Sequence, residues 1–179
     1  MQFKSPAFAD GDMIPVAYTI DGMPDGRPGG TVPNPPLEWI DAPSNTESFA
    51  IVVSDIDVPM QYGGRFIHLL AYDIAREVSS VSAGGIDAVA KIVPNDYVNW
   101  EMPFYSAWGP IRALSQHRYQ FTLYALAVRG LGNIATYESL MAMIETHMLT
   151  EASFTGRYGP AVLPRSLKLV RRRQMNKRR

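Results

Sequence analysis

The sequence predicts a mainly β protein: an antiparallel β-sandwich with few peripheral helices, one of them near the C-terminus. Three observations carry that expectation. The apolar residues fall in short runs rich in β-branched and aromatic side chains, each too short for a helix that stands alone. Fourteen glycines and 14 prolines break the 179-residue chain into short segments. Only one stretch, from Tyr137 to about Ala152, spaces its apolar residues as a helix does.

In chain order, residues 1–22 place Phe3, Phe8, Ile14 and Tyr18 ahead of the turn signal Asp21-Gly22, which predicts one or two short strands. Residues 23–36, MPDGRPGGTVPNPP, read as a surface loop. Leu37-Glu38-Trp39 is a short strand, followed by a polar turn over 41–47. Residues 49–53 and 66–72 are buried strands around an acidic turn and Gly63-Gly64. Gly84-Gly85 marks a turn, 88–93 a further strand, and 94–114 irregular chain with three prolines. Residues 117–128, HRYQFTLYALAV, form the longest strand candidate, with His117, Tyr119, Phe121, Leu123 and Ala125 on one face by period two. In the helix, Tyr137, Leu140, Met141, Ile144 and Met148 make the apolar stripe. Thr136 caps it and Glu138 suits the positive end of its dipole. Gly156, Gly159 and Pro160 predict irregular chain, and 166–170 a last strand. One domain over 1–170 is expected, followed by a disordered basic tail, 171–179, with six cationic side chains in nine and no apolar face.

Composition narrows the function classes. A hydrophobic content of 46% against 19% charged residues excludes disorder. The lack of cysteine excludes disulfides, thiolate metal sites and thiol catalysis. Seventeen basic residues balance 17 acidic ones, so no overall field draws the chain to nucleic acid. The N-terminus has no apolar signal core and no run approaches the ~18 residues of a spanning helix, so a cytoplasmic protein is expected. The tail's charge leaves the rest of the chain near −6. That opposing field argues against stable membrane association at a Debye length of about 8 Å.

The residues suited to chemistry concentrate in two strands. Asp55 and Asp57 stand two apart at the end of the first buried run and leave one face if the backbone is extended. His68 lies inside the second run, with Phe66, Leu70 and Tyr72 on its face. If the strands carrying His68 and His117 neighbour one another, Asp55, Asp57, His68, His117 and Tyr119 line one cleft. The blander alternatives are a buried histidine bonded to a carbonyl and an aspartate that caps a turn. His147, beside the helix stripe, reads as structural.

Ser54-Asp55-Ile56-Asp57-Val58-Pro59, then His68, then Gly109-Pro110 and His117-Arg118-Tyr119 resemble, in order and spacing, the phosphatidylethanolamine-binding protein family. Residues 8–22, Pro35-Pro36-Leu37-Glu38-Trp39, Asn95-Asp96-Tyr97 and the late Thr150-Glu151-Ala152 and Gly156-Arg157-Tyr158-Gly159 resemble its bacterial and archaeal branch, with Raf kinase inhibitor-like proteins. The resemblance implies a β-sandwich with a small anion pocket at one edge. It would be lined by Asp55, Asp57, His68, His117 and Tyr119, with Gly109 and Pro110 shaping the rim. The chain departs from the family pattern at Ile56, at Leu69 and over 111–115, where Arg112 adds a cation.

The function expected is a non-enzymatic binding protein for a small anion or phosphorylated head group, with a kinase or protease as possible protein target. It would need no cofactor and would pair as a homodimer. The aspartates would serve as acceptors that aim donors at the ligand. The alternative is a metal-assisted phosphoester hydrolase using the same Asp/His cluster. Neither a Gly-x-Ser-x-Gly elbow nor a Walker-type phosphate loop is present in the sequence.

Overall fold

The apolar runs fold into two antiparallel sheets in a computed structural model that describes residues 1–22, 32–96 and 115–159. In chain order the strands are β1 (Gln2–Lys4), β2 (Leu37–Ile40), β3 (Ser48–Asp55), β4 (Phe66–Ala75), β5 (Ser80–Val81), β6 (Lys91–Ile92) and β7 (His117–Leu126). The helix α1 (Tyr137–His147) and the strand β8 (Met148–Tyr158) follow. The smaller sheet has the order β1-β2-β5 and the larger β6-β4-β3-β7-β8. The β-rich sandwich expected from the sequence is therefore what forms.

β3 sits at the centre of the larger sheet, paired to β4 on one side and β7 on the other. Its alternate residues serve two cores. Phe49, Ile51 and Val53 face the smaller sheet, where they join Phe3, Leu37, Trp39, Phe121 and Phe154. Ala50 and Val52 face α1, with Leu140 and Ile144. Burial on both faces explains why the run is continuously apolar rather than alternating. Aromatic rings fill the inter-sheet space: Phe121 stacks on Phe154 at 4.7 Å, and Trp39 meets Phe49 edge-on at 5.4 Å.

α1 begins as predicted. Thr136 accepts from the Ser139 backbone N–H, and the Ser139 hydroxyl accepts in return from the Thr136 N–H, closing a capping box. The helix ends sooner than its periodicity suggests. His147 is its last residue, and Met148 is already extended at φ −67°, ψ 128°. Thr150, Glu151 and Ala152, expected in the helix, lie instead in β8, as does Gly156 from the stretch expected to be irregular. Ten register pairs with β7 hold that strand, and their backbone ladder outweighs the local helical pattern. β8 is thus longer than β7, which the sequence ranked first.

Two further expectations are corrected. The strand over 88–93 shrinks to Lys91–Ile92, because a 3-10 turn over Ile86–Ala88 occupies its start. Residues 32–36 are not surface loop. Val32 and Asn34 are buried, and Asn34 donates to Ser82 O at 3.1 Å while its side-chain oxygen accepts from Ile86 N at 3.2 Å. The chain there is packed under the Gly84-Gly85 turn as a tether. The Gly/Pro stretch over 23–31, the strand over 166–170 and the basic tail lie outside the described residues. No helix among the described residues is long and apolar enough to cross a membrane.

Gly156 stands opposite Tyr119 on β7. A Cβ there would come within 2.5 Å of Ile14 Cγ1 and 2.7 Å of Phe8 Cε2. Gly156→Ala should therefore destabilise the protein by about 1–3 kcal/mol through overpacking. Urea unfolding measures it, and an unchanged midpoint would show that the N-terminal segment yields freely.

Candidate functional site

The site grows out of one face of the larger sheet. Along β3 the odd positions Phe49, Ile51 and Val53 are core, and the next odd position is Asp55. Across from Asp55 stand Tyr119 on β7 and Phe66 on β4. Two residues before Tyr119, on the same face, is His117. The inter-sheet face thus turns from hydrocarbon to polar at one end of β3. The strands carrying His68 and His117 are not neighbours as the simplest cleft required; β3 lies between them and supplies Asp55.

Asp55 is only 6% exposed and hydrogen-bonded on both oxygens. Oδ2 lies 2.7 Å from His117 Nδ1, and Oδ1 accepts from Asp57 N at 2.9 Å. Burial pushes the Asp55 carboxyl above its ordinary value; the His117 hydrogen bond opposes that rise without cancelling it. With the carboxylate ionised, Nδ1–H donates to it, which orients the ring and leaves Nε2 outside this bond.

Asp57 does not share this space. The hydrogen bond from its own N–H to Asp55 closes a turn directly after β3, so the backbone is not extended and the two carboxylates part. Asp57 instead grips the start of β7. Oδ1 accepts from Arg118 Nη2 at 2.7 Å, and Oδ2 from Arg118 Nε at 2.9 Å and Arg118 N at 2.8 Å. That guanidinium holds the Asp57 carboxyl below its ordinary range.

His68 reaches the site through a break in register. Val53 pairs with Leu69 but Ser54 pairs with Ile67, so His68 is an extra residue on β4, a β-bulge. The bulge shifts the phase of the strand. Ile67, Leu70 and Tyr72 pack toward α1, whereas His68 packs with Phe66 at 4.9 Å and with Tyr119 at 5.2 Å between ring centroids. Leu70 and Tyr72, expected beside His68, are therefore on the opposite face. Its imidazole is 2% exposed and Tyr119 is 1% exposed.

Asp55, His68, His117 and Tyr119 thus come together, Asp57 stands beside them, and Gly109, Pro110 and Arg112 lie outside the described residues. Sequence reasoning missed the role of Arg118, whose charge opposite Asp57 was the available signal. It also missed Tyr158, the register partner of His117, whose hydroxyl donates to Asp21 at 2.5 Å. Among the described residues no three His, Asp or Glu side chains converge as metal ligands.

The model of the family described as phosphatidylethanolamine-binding protein matches residues 4–159. The chain belongs to the phosphatidylethanolamine-binding protein family. A UPF0098 protein of Chlamydia pneumoniae is 34% identical over 162 residues, covering 88% of this chain and 98% of its own length. Among solved structures, the phosphatidylethanolamine-binding protein homologue CT736 of Chlamydia trachomatis is similar at a TM-score of 0.73 with 30% identity, over 89% of this chain and 97% of the other. YbcL of E. coli, described as a member of the mammalian PEBP family, shares the fold at a TM-score of 0.70 with 22% identity, over 89% and 98% of the two chains. The family match ends at Gly159, so the basic tail falls beyond it.

The Asp57–Arg118 pair predicts a pH signature. Arg118 lowers the folded-state value of Asp57 below its usual 3.8, so the stabilisation is fully present above that pH and is lost as pH falls through the lowered value. The pair is partly exposed, with Arg118 at 57% and Asp57 at 28% side-chain exposure, so its worth is modest. Asp57→Asn should cost about 0.5–1 kcal/mol near neutral pH. Denaturant unfolding at several pH values should show that difference closing as Asp57 protonates. A constant difference would mean the ion pair contributes nothing.

Proposed function

We propose that this chain is a non-enzymatic binding protein whose His68, His117 and Tyr119 form a cup for a small anion, a phosphoryl or carboxylate group. The observation that carries the reading is the partly buried Asp55–His117 hydrogen bond. An imidazole so held has one nitrogen fixed and the other aimed. A ring N–H of fixed direction is a donor that a phosphoryl oxygen matches. Tyr119 adds a phenolic hydroxyl on the same face. Asp57 does not spoil the cup, because its charge is spent on Arg118.

The same geometry argues against the metal-assisted hydrolase. A divalent ion there would have to share the carboxylates with the donors they already serve. Both oxygens of Asp55 and both of Asp57 already accept hydrogen bonds from N–H groups. Nor does the family match by itself supply a reaction: it names a binding protein.

The test is phosphate titration followed by the imidazole resonances of the three histidines. His68 and His117 should shift together and saturate, while His147, on α1, stays still. With sulfate, whose charge is constant, affinity should fall as pH rises across the range of about 5 to 8 in which histidines lose their proton. Silence at both His68 and His117 would remove the anion assignment.

A further inference from the structure

β4 is the strand that delivers His68, and its outer edge is covered unevenly. β6 pairs with it only at Ala71 and Tyr72. One more backbone bond follows, from Val93 N to Leu70 O at 2.9 Å. The next residue, Pro94, falls at a non-bonded position of this ladder, and beyond it the backbone ladder gives way. Two side chains take its place. Asn95 Nδ2 donates to His68 O at 2.9 Å, and Asp96 Oδ2 accepts from Ile67 N at 2.7 Å. The bond from Asn95 is buried, and Asn95 itself is 5% exposed.

These two bonds fall on the bulge. The first fixes the peptide that follows His68 and the second the peptide that precedes Ile67, so together they bracket the residues where the register with β3 breaks. A bulged residue lacks an opposite partner to set its tilt. A tilt of about 20° there would swing the far ring nitrogen by more than the ~0.5 Å within which a positioned donor is useful.

We propose that Asn95 and Asp96 are positioning residues for the His68 imidazole, substituting side chains for a backbone ladder so that the bulge aims the ring into the cup and sets its affinity for anions. The inference rests on the anion reading above. Neither residue touches the ligand; both act through the main chain of β4. Asn95 works by donating to a carbonyl and Asp96 by accepting from an N–H, so their chemistry is not interchangeable.

The experiment compares the native chain with Asn95→Ala, Asp96→Ala and Asp96→Asn, using inorganic phosphate as the probe and imidazole resonances as the readout. In Asn95→Ala and Asp96→Ala, the free-protein resonances of His68 should move while those of His117 hold. Phosphate should bind about tenfold more weakly, the low end of what such outer partners are worth. Asp96→Asn should restore both, because its amide oxygen still accepts from Ile67 N. Native affinity with unmoved His68 resonances in both alanine variants would overturn the proposal, as would equal losses in Asp96→Ala and Asp96→Asn. Should Asn95→Ala fail to fold, the Asp96 pair carries the comparison alone. If the native chain ignores phosphate, the anion reading falls instead. The free-protein resonances then decide the clamp: unmoved in the alanine variants, they overturn it.

Discussion

Asp55 is a buried carboxylate at the end of a strand whose preceding odd positions are Phe49, Ile51 and Val53. Burying it is tolerable only because His117 and the Asp57 N–H meet its two oxygens. Removing His117 would leave that carboxylate buried without its side-chain partner, so the bond ties β3 to β7 at this end. The coupling also guards register. A slip of one residue would turn Asp55 toward α1, among Ala50, Val52 and Leu140, and would bring Phe49 and Val53 with it to the wrong core. Core and site therefore enforce the same alignment.

The two aspartates show how a short spacing can divide labour. Asp55 faces inward and holds an imidazole; Asp57, two residues later, faces outward and holds a guanidinium. The turn that separates them is made by the pair itself, through the Asp57 N–H and the Asp55 carboxylate. Arg118, next to His117 in sequence, points to the other side of β7 and is exposed. Strand alternation thus sends one member of His117-Arg118 to each aspartate, and the register of β3 on β7 makes both pairs at once.

What was legible in the sequence was local. The strands around Phe49 and Phe66, the parity of His117, Tyr119 and Phe121, and the Thr136 cap each follow from residues within a few positions of one another. What was not legible depended on distant partners. The helix stripe runs on through Met148 without a glycine stop, so only pairing with β7 reveals that the chain is already β8. Asp55 and Asp57 share a face in any extended chain, and nothing local says that the chain turns after Asp55. The phase of His68 was misread because a bulge is a relation between two strands. No pattern within 66–75 marks which residue is the extra one.

β3 has neighbours of different kinds, and this bears on how the site is held. Its register with β7 runs unbroken from Ser48 to Asp55, while its register with β4 shifts twice. Near each shift a carboxylate takes a main-chain N–H at 2.7 Å: Asp96 from Ile67, and Asp73, itself at φ 56°, from Leu131. His117 therefore stands on a long regular ladder, and moving its ring means disturbing many backbone bonds together. His68 stands on an irregular strand fastened by a few local side chains. Its geometry responds to single substitutions that leave the ladder of β3 and β7 whole. His117 and His68 are accordingly held in different ways, one by a regular ladder and the other by side chains that bracket a bulge.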